Sequence, residues 1–241
     1  MKKWLEQTLA ALASLLYPPR CERCETQVAA DQYLCEPCRN TARRITAPFC
    51  ATCSQPFEGA IESEFSCANC ADRQFHFTHA VTCFRSRGIV RTLLHRFKYR
   101  REQHLRFPLG DWLCETMDDP RIAAQKADAL VPVPLHSKRL REREFNQALQ
   151  LAERVSAQTG IGISDCLLRN RYTTTQTQHD RTERIENLRN AFELRQTFDV
   201  RGQHLVLVDD VLTTGSTLDE CARMLRRAGA ASVRAITVAR G

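Results

Sequence analysis

Two groups of residues in this chain have the types and the spacing to do chemistry. Eight cysteines fall in four CxxC pairs before residue 71: Cys21 and Cys24, Cys35 and Cys38, Cys50 and Cys53, Cys67 and Cys70. Far downstream, "HLVLVDDVLTTGSTLDEC", His204 to Cys221, places two adjacent acids at the end of an apolar run and follows them with a turn rich in Thr, Gly and Ser. Paired thiolates are zinc chemistry. A hydroxyl-rich glycine turn that opens a helix is anion chemistry.

Each CxxC turn delivers two thiolates to one point, and two turns fill the tetrahedron that zinc prefers. Paired in order, the eight cysteines make two four-cysteine sites, a tandem zinc ribbon; interleaved pairing is compatible with the same spacing. The other cysteines, Cys83, Cys114, Cys166 and Cys221, are isolated, and no secretory signal precedes any of them. Metal ligation is therefore expected in place of disulfides. With all four positions filled by protein, no position is left for substrate, which assigns the metal to folding and surface presentation.

The downstream turn has amides at a helix N-terminus joined by the hydroxyls of Thr213, Thr214, Ser216 and Thr217, and Gly215 permits close backbone approach. It has no lysine and no Walker spacing, which disfavours triphosphate hydrolysis. Asp209 and Asp210 cannot attract a phosphate, yet they can accept hydrogen bonds from vicinal hydroxyls. A sugar that bears a 5-phosphate meets both requirements.

These residues need elements to position them. From about His79 the apolar runs "AVTCF", "ALVPVPL", "HLVLVDDVL" and "VRAITVAR" read as buried strands, separated by helical patterns such as "FNQALQLAERVSAQTG" and "STLDECARMLRRAGA". Alternating strands and helices predict an α/β domain with a mainly parallel sheet, whose ligands bind at the carboxyl ends of the strands. In the last helix Leu218, Cys221, Leu225 and Ala228 share one face, so Cys221 is expected in the core, with Gly229 as terminator. At the other end Trp4, Leu5, Leu9, Leu12, Leu15 and Leu16 recur at helical spacing until Pro18 and Pro19. This stretch is too short to span a bilayer and has no cleavage site. The chain thus divides into an amphipathic helix over 1–17, zinc ribbons over 18–75 and an α/β domain over 79–241, within 241 residues of which 43% are hydrophobic.

The segment "LVLVDDVLTTGST" resembles, over all thirteen residues, the signature of type I phosphoribosyltransferases. That resemblance implies a Rossmann-like domain in which Asp209 and Asp210 hold the ribose hydroxyls of phosphoribosyl pyrophosphate. Thr213, Thr214, Gly215, Ser216 and Thr217 hold its 5-phosphate, and Mg2+ bridges pyrophosphate and ribose. "VPVPLHSKRLREREFNQALQLAE" and "RNRYTTTQTQHDRTERIENLRNAF", with the CxxC ribbons and the final "TVAR", resemble the competence protein ComF family over essentially the whole chain. Matching that pattern picks out Pro132, Pro134, Arg139, Arg143, Asn146 and Gln147 in the first stretch. In the second it picks out Arg169, Arg171, Thr173, Gln176, Arg184, Asn187 and Phe192. One departure is Glu144, where the family commonly has glycine.

Cations bear on both ligands. Lys138, Arg139, Arg141 and Arg143 follow the strand ending in "PVP", where the resemblance implies a pyrophosphate loop; Glu142 and Glu144 partly offset them. Between Arg85 and Arg106 eight Lys or Arg face one Glu, with Phe97 and Tyr99 interleaved. Such a stripe can neutralise phosphates while aromatics stack on bases, which points to single-stranded DNA through Arg96, Lys98, Tyr99, Arg100 and Arg101. An equal reading from this stretch alone is a solvated helix whose Ile89, Leu93, Leu94 and Phe97 face the core. The resemblance places Lys98 at a Lys-Tyr position. The net charge of +7 suits an acidic partner.

Three functions meet these observations. The ComF resemblance implies natural transformation: a cytoplasmic protein, working at the inner face of the membrane, that binds single-stranded DNA during uptake alongside a competence helicase and recombination proteins, with phosphoribosyl pyrophosphate as ligand. The alternative is an active phosphoribosyltransferase whose acceptor is unknown. Transferases for 6-oxopurines carry an Asp within the turn, where this chain reads Leu212, Thr213, Thr214, and a glutamine amidotransferase needs an N-terminal cysteine. The third is an adaptor whose ribbons dock a partner and whose turn is vestigial, against which the intact Asp209, Asp210 and Gly215 argue.

Overall fold

The computed structural model describes residues 18–59, 61, 65–172 and 190–241. The expected helix over 1–17 and the motif residues Thr173, Gln176, Arg184 and Asn187 lie outside them. In chain order the elements are α1 (Glu36–Asn40), α2 (Ala68–Ala71), β1 (Ala80–Arg85), α3 (Gly88–Tyr99), α4 (Arg106–Cys114), α5 (Pro120–Ala123), β2 (Ala129–Pro132), α6 (Ser137–Arg143), α7 (Gln147–Thr159), β3 (Leu167–Arg169), β4 (Phe192–Leu194), β5 (His204–Leu212), α8 (Ser216–Arg227) and β6 (Ser232–Arg240). The four apolar runs of the sequence are β1, β2, β5 and β6, and they form one parallel sheet in the order β1-β6-β5-β2. Val131 pairs with Leu207 and Pro132 with Val208, so β2 stops four residues short of the end of β5 and leaves Asp209 and Asp210 beyond its edge.

Alternation along β5 feeds two cores. Val206 and Val208 pack with Phe84, Leu93, Phe97 and Leu151 on one face. Leu205 and Leu207 pack with Val131, Cys221 and Leu225 on the other, as the period of two for a strand covered on both sides requires. Helices α3, α4 and α7 cover the first face. Helix α8 and the antiparallel pair β3 and β4 cover the second. Asn146 caps α7 by accepting from the Ala148 amide at 3.1 Å, and Gly160 at φ +74° ends it. The short pair β3 and β4 carries only three residues per strand and was not visible as an apolar run.

The ribbons pack against the domain's own edge. The Ala80 amide donates to the Thr52 carbonyl at 2.7 Å, Ser54 Oγ donates to the Ala80 carbonyl at 2.9 Å, and the Ile45 amide donates to the Cys83 carbonyl at 2.9 Å. Arg96 of α3 donates to both the carbonyl and the carboxylate of Glu22 at 2.5 Å. No described helix is long and apolar enough to cross a membrane.

Candidate functional site

The eight cysteines converge in sequence order. Sγ atoms of Cys21, Cys24, Cys35 and Cys38 lie within 4.8 Å of one another, and those of Cys50, Cys53, Cys67 and Cys70 do the same. Cys24 and Cys35, and likewise Cys53 and Cys67, have sulfurs 3.6 Å apart. That is far beyond a disulfide bond and close to the ~3.8 Å edge of a tetrahedron built on ~2.3 Å zinc–sulfur bonds. Crowding keeps four bare thiols from ionising together. A hydrogen bond from Cys53 lowers Cys50 to about 4, while its partner Cys50 raises Cys53 and burial pushes Cys70 up to about 12. A divalent cation lets all four carry charge, so this donor set fits zinc. The second cluster is buried at every position, whereas Cys24 of the first is exposed.

Asp209 and Asp210 sit near the carboxyl end of β5. Asp210 is buried and its carboxylate meets Lys98 Nζ at 2.8 Å, while the Asp209 carboxylate accepts from the Asp210 amide at 2.8 Å. Burial first, and the charge of Asp210 second, push the Asp209 carboxyl up to about 7. Lys98, grouped by sequence with the DNA-contacting stripe, thus projects into this cleft. Arg96 also leaves the stripe: besides Glu22 it holds Glu102, whose carboxyl it lowers. Tyr99, Arg100 and Arg101 stay exposed, with Arg143 5.3 Å over the Tyr99 ring and Arg101 2.6 Å from Glu144.

The turn closes at Gly215, which has φ +81° and caps α8 without a side chain. A side chain there would be strained, and an added Cβ would lie 3.2 Å from the Phe75 ring. The close approach that glycine permits is therefore to a residue just downstream of the second ribbon. Thr214 Oγ1 lies 3.0 Å from Ser216 Oγ, Ser216 is buried, Thr217 is half-buried and Thr213 is exposed. Thr217, at the start of α8, lines one cleft with the two acids.

The opposite wall comes from the stretch after β2. Pro132 and Pro134 are buried at its end, and α6 follows, capped by His136 through the Lys138 amide. Lys138 and Arg139 lie 4.6 and 5.9 Å from the Tyr172 ring, and Arg143 donates to Gln147 at 2.9 Å. Asn146 donates to the Val133 carbonyl at 3.1 Å, tying α7 to this strand end. Arg139, Arg143, Asn146, Gln147 and Arg169 line the same cleft as Asp209 and Asp210. Burial first and the nearby Arg139 charge second lower Arg169 from its ordinary value. Arg171 is exposed beyond β3. Glu144, the departure from the family pattern, ends α6 at φ +69°, the left-handed conformation that glycine adopts without strain. Cys221 is fully buried and its thiol raised by burial, which makes it a core residue as its helical face predicts.

Sequence reasoning missed the residues that touch the turn from behind: Asn69, Arg73 and Phe75. They stand some 140 positions away from it, and no local pattern reports a contact of that separation.

Comparison with known proteins places this geometry. Residues 12–83 match the double zinc ribbon domain and residues 146–241 the phosphoribosyl transferase domain. The chain is 33% identical to the DNA utilization protein YhgH of Escherichia coli, over 91% of this chain and 96% of that protein. It is 28% identical to competence protein F of Haemophilus influenzae, over 92% and 96%. It is also 28% identical to competence protein ComFC of Bacillus subtilis, over 87% and 85%.

Proposed function

The chain belongs to the competence protein ComF family, a competence-associated group that joins a double zinc ribbon to a phosphoribosyltransferase-type domain, and from this premise we propose that it binds phosphoribosyl pyrophosphate with Mg2+ in the β5 cleft and single-stranded DNA on the adjoining basic rim during DNA uptake. The observation that carries the reading is the convergence, on one cleft, of the acid pair, Thr217 at the start of α8, and Arg139 and Arg143 from the stretch after β2. Vicinal hydroxyls suit the acids, a 5-phosphate suits the turn, and pyrophosphate suits Lys138, Arg139 and Arg143. Magnesium takes oxygen ligands, which the carboxylates and pyrophosphate together offer.

Tyr99, Arg100 and Arg101 support the DNA half of the reading. An aromatic with more than half its surface exposed, flanked by two arginines and backed by Arg143, is the pairing of stacking and charge that holds single strands without reading sequence. The cleft and this rim share Lys98, Tyr99 and Arg143, so sugar phosphate and DNA meet on neighbouring residues.

Titration of zinc-loaded protein with phosphoribosyl pyrophosphate and Mg2+, with and without single-stranded DNA, tests both halves while pyrophosphate release is followed. Binding without release, with DNA affinity altered by the ligand, is expected. Release that requires an added acceptor makes the protein a transferase, and absence of binding removes the ligand assignment.

A further inference from the structure

We propose that the second zinc ribbon and the segment that follows it form the rear half of the phosphate turn, with Arg73 and Asn69 as positioning residues, so that zinc at Cys50, Cys53, Cys67 and Cys70 and a 5-phosphate in the turn strengthen each other's binding. The proposal rests on the phosphoribosyl reading of the cleft and adds to it a dependence on the ribbon. Asn69 lies inside the CxxC of Cys67 and Cys70, and Arg73 lies three residues past Cys70, so metal ligation fixes where both side chains start. Asn69 Nδ2 donates to the Thr214 carbonyl at 3.2 Å, and Arg73 Nη1 reaches the same oxygen at 3.4 Å.

That carbonyl controls the direction of an amide. The peptide between Thr214 and Gly215 is planar and trans, so its N–H points opposite to its C=O. A carbonyl held toward the ribbon sends the Gly215 amide away from the ribbon. With glycine on one side of it, this peptide would otherwise flip at little cost, because glycine accepts both signs of φ. Phe75 adds a steric stop: its ring lies against Gly215, stacks on Phe77 at 4.6 Å and carries the Arg73 guanidinium 4.5 Å above it.

Arg73 also answers a charge that works against an anion. Asp219 lies in the first turn of α8, where its carboxylate would repel a phosphate bound at the helix N-terminus. Arg73 Nη2 meets Asp219 Oδ2 at 3.3 Å, the His76 amide donates to Oδ1 at 2.7 Å, and Arg73 Nη2 lies 3.5 Å from Ser216 Oγ. Arg73 and Asp219 are each 15% exposed, so solvent screens this pair little. A linkage follows: whatever fixes the ribbon favours the phosphate-ready turn, and a phosphate in the turn must favour the zinc-bound ribbon by the same factor.

The test uses full-length, zinc-loaded protein and its Arg73→Gln variant, with Arg73→Lys and Asn69→Ala as companions and zinc content measured in each. Binding of ribose 5-phosphate and of inorganic pyrophosphate is followed by calorimetry, and zinc transfer to a chromogenic chelator is timed with and without ribose 5-phosphate. Arg73→Gln that keeps two zinc ions should bind ribose 5-phosphate about tenfold more weakly while its pyrophosphate affinity stays unchanged. Arg73→Lys should recover part of the loss. Ribose 5-phosphate should slow release of one of the two zinc ions in the parent protein and not in Arg73→Gln. Parent protein that binds ribose 5-phosphate with an unaltered affinity in Arg73→Gln and Asn69→Ala overturns the proposal alone. Parent protein that binds no sugar phosphate overturns the reading of the cleft and the proposal with it.

Discussion

The ammonium of Lys98 lies 2.8 Å from the carboxylate of Asp210, joining the last turn of α3 to the carboxyl end of β5. The pair is mostly shielded from water, at 19% and 8% side-chain exposure, so the two residues depend on each other. Lys98→Met leaves a buried carboxylate without its cation and should cost roughly 1–3 kcal/mol of stability in urea unfolding, between the ranges for exposed and buried pairs. Adding Asp210→Asn should restore most of that stability and none of the sugar-phosphate affinity. Equal loss in the single and double variants would show that the pair contributes nothing of its own.

Asp209 gives the cleft a pH dependence. Its folded value is raised to about 7 from an ordinary value near 4, so between pH 4 and 7 the folded state holds a proton that the unfolded state has released. Stability therefore falls as pH rises through that window and levels off above it, and Asp209→Asn should flatten this part of the profile. Affinity for phosphoribosyl pyrophosphate moves the other way. The ionised carboxylate is the better acceptor for ribose hydroxyls, so calorimetry at pH 6 and 8 should give tighter binding at 8.

The two zinc sites should come apart at different rates. Cys24 is exposed, whereas all four cysteines of the second cluster are buried. A chelator should remove zinc in two phases, and Cys24→Ser should abolish the faster one. Cys53→Ser should lower the melting temperature more than Cys24→Ser, because Cys53 is buried in the core cluster that includes residues of the parallel sheet.

The arginines of the basic stretch should separate by what they touch. Arg96→Ala breaks the contacts to Glu22 and Glu102 and should lower stability while leaving the salt slope of DNA binding unchanged. Replacing Tyr99, Arg100 and Arg101 together should weaken single-strand affinity and reduce the slope of log affinity against log salt by about 1–2, at roughly 0.7 per phosphate contact. Identical slopes in the two variants would return the stretch to a solvated face.

Glu144→Gly should stabilise the protein by up to about 1 kcal/mol, read as a rise in melting temperature. It relieves a left-handed residue at the end of α6 and gives up only an exposed pair with Arg101, which is worth little.

Most of the sheet was legible in the sequence because its four strands are buried on both faces, and continuous apolar runs such as "HLVLV" follow directly from that burial. The turn was legible because glycine, hydroxyls and acids each answer a local backbone or ligand requirement. The cysteine pairs announced their chemistry but left their pairing open, which the convergence of the sulfurs settles. What stayed hidden was relational. Lys98 stood out by its Lys-Tyr position but was grouped with a DNA-contacting stripe until α3 carried it onto Asp210, and Arg73 had no pattern at all, since its partners Thr214 and Asp219 stand on another element. Strands β3 and β4 were too short for any periodicity to show.

The order β1-β6-β5-β2 has a consequence for how the chain is made. β6 belongs in the interior of the sheet, between β5, the strand made just before it, and β1, made long before. Until it emerges, the β1 edge that it will pair with stays open, and open edges invite the wrong neighbour. A growing polypeptide can wrap its zinc early, yet it must keep a slot for β6. A chain cut short before Ser232 would leave that slot exposed.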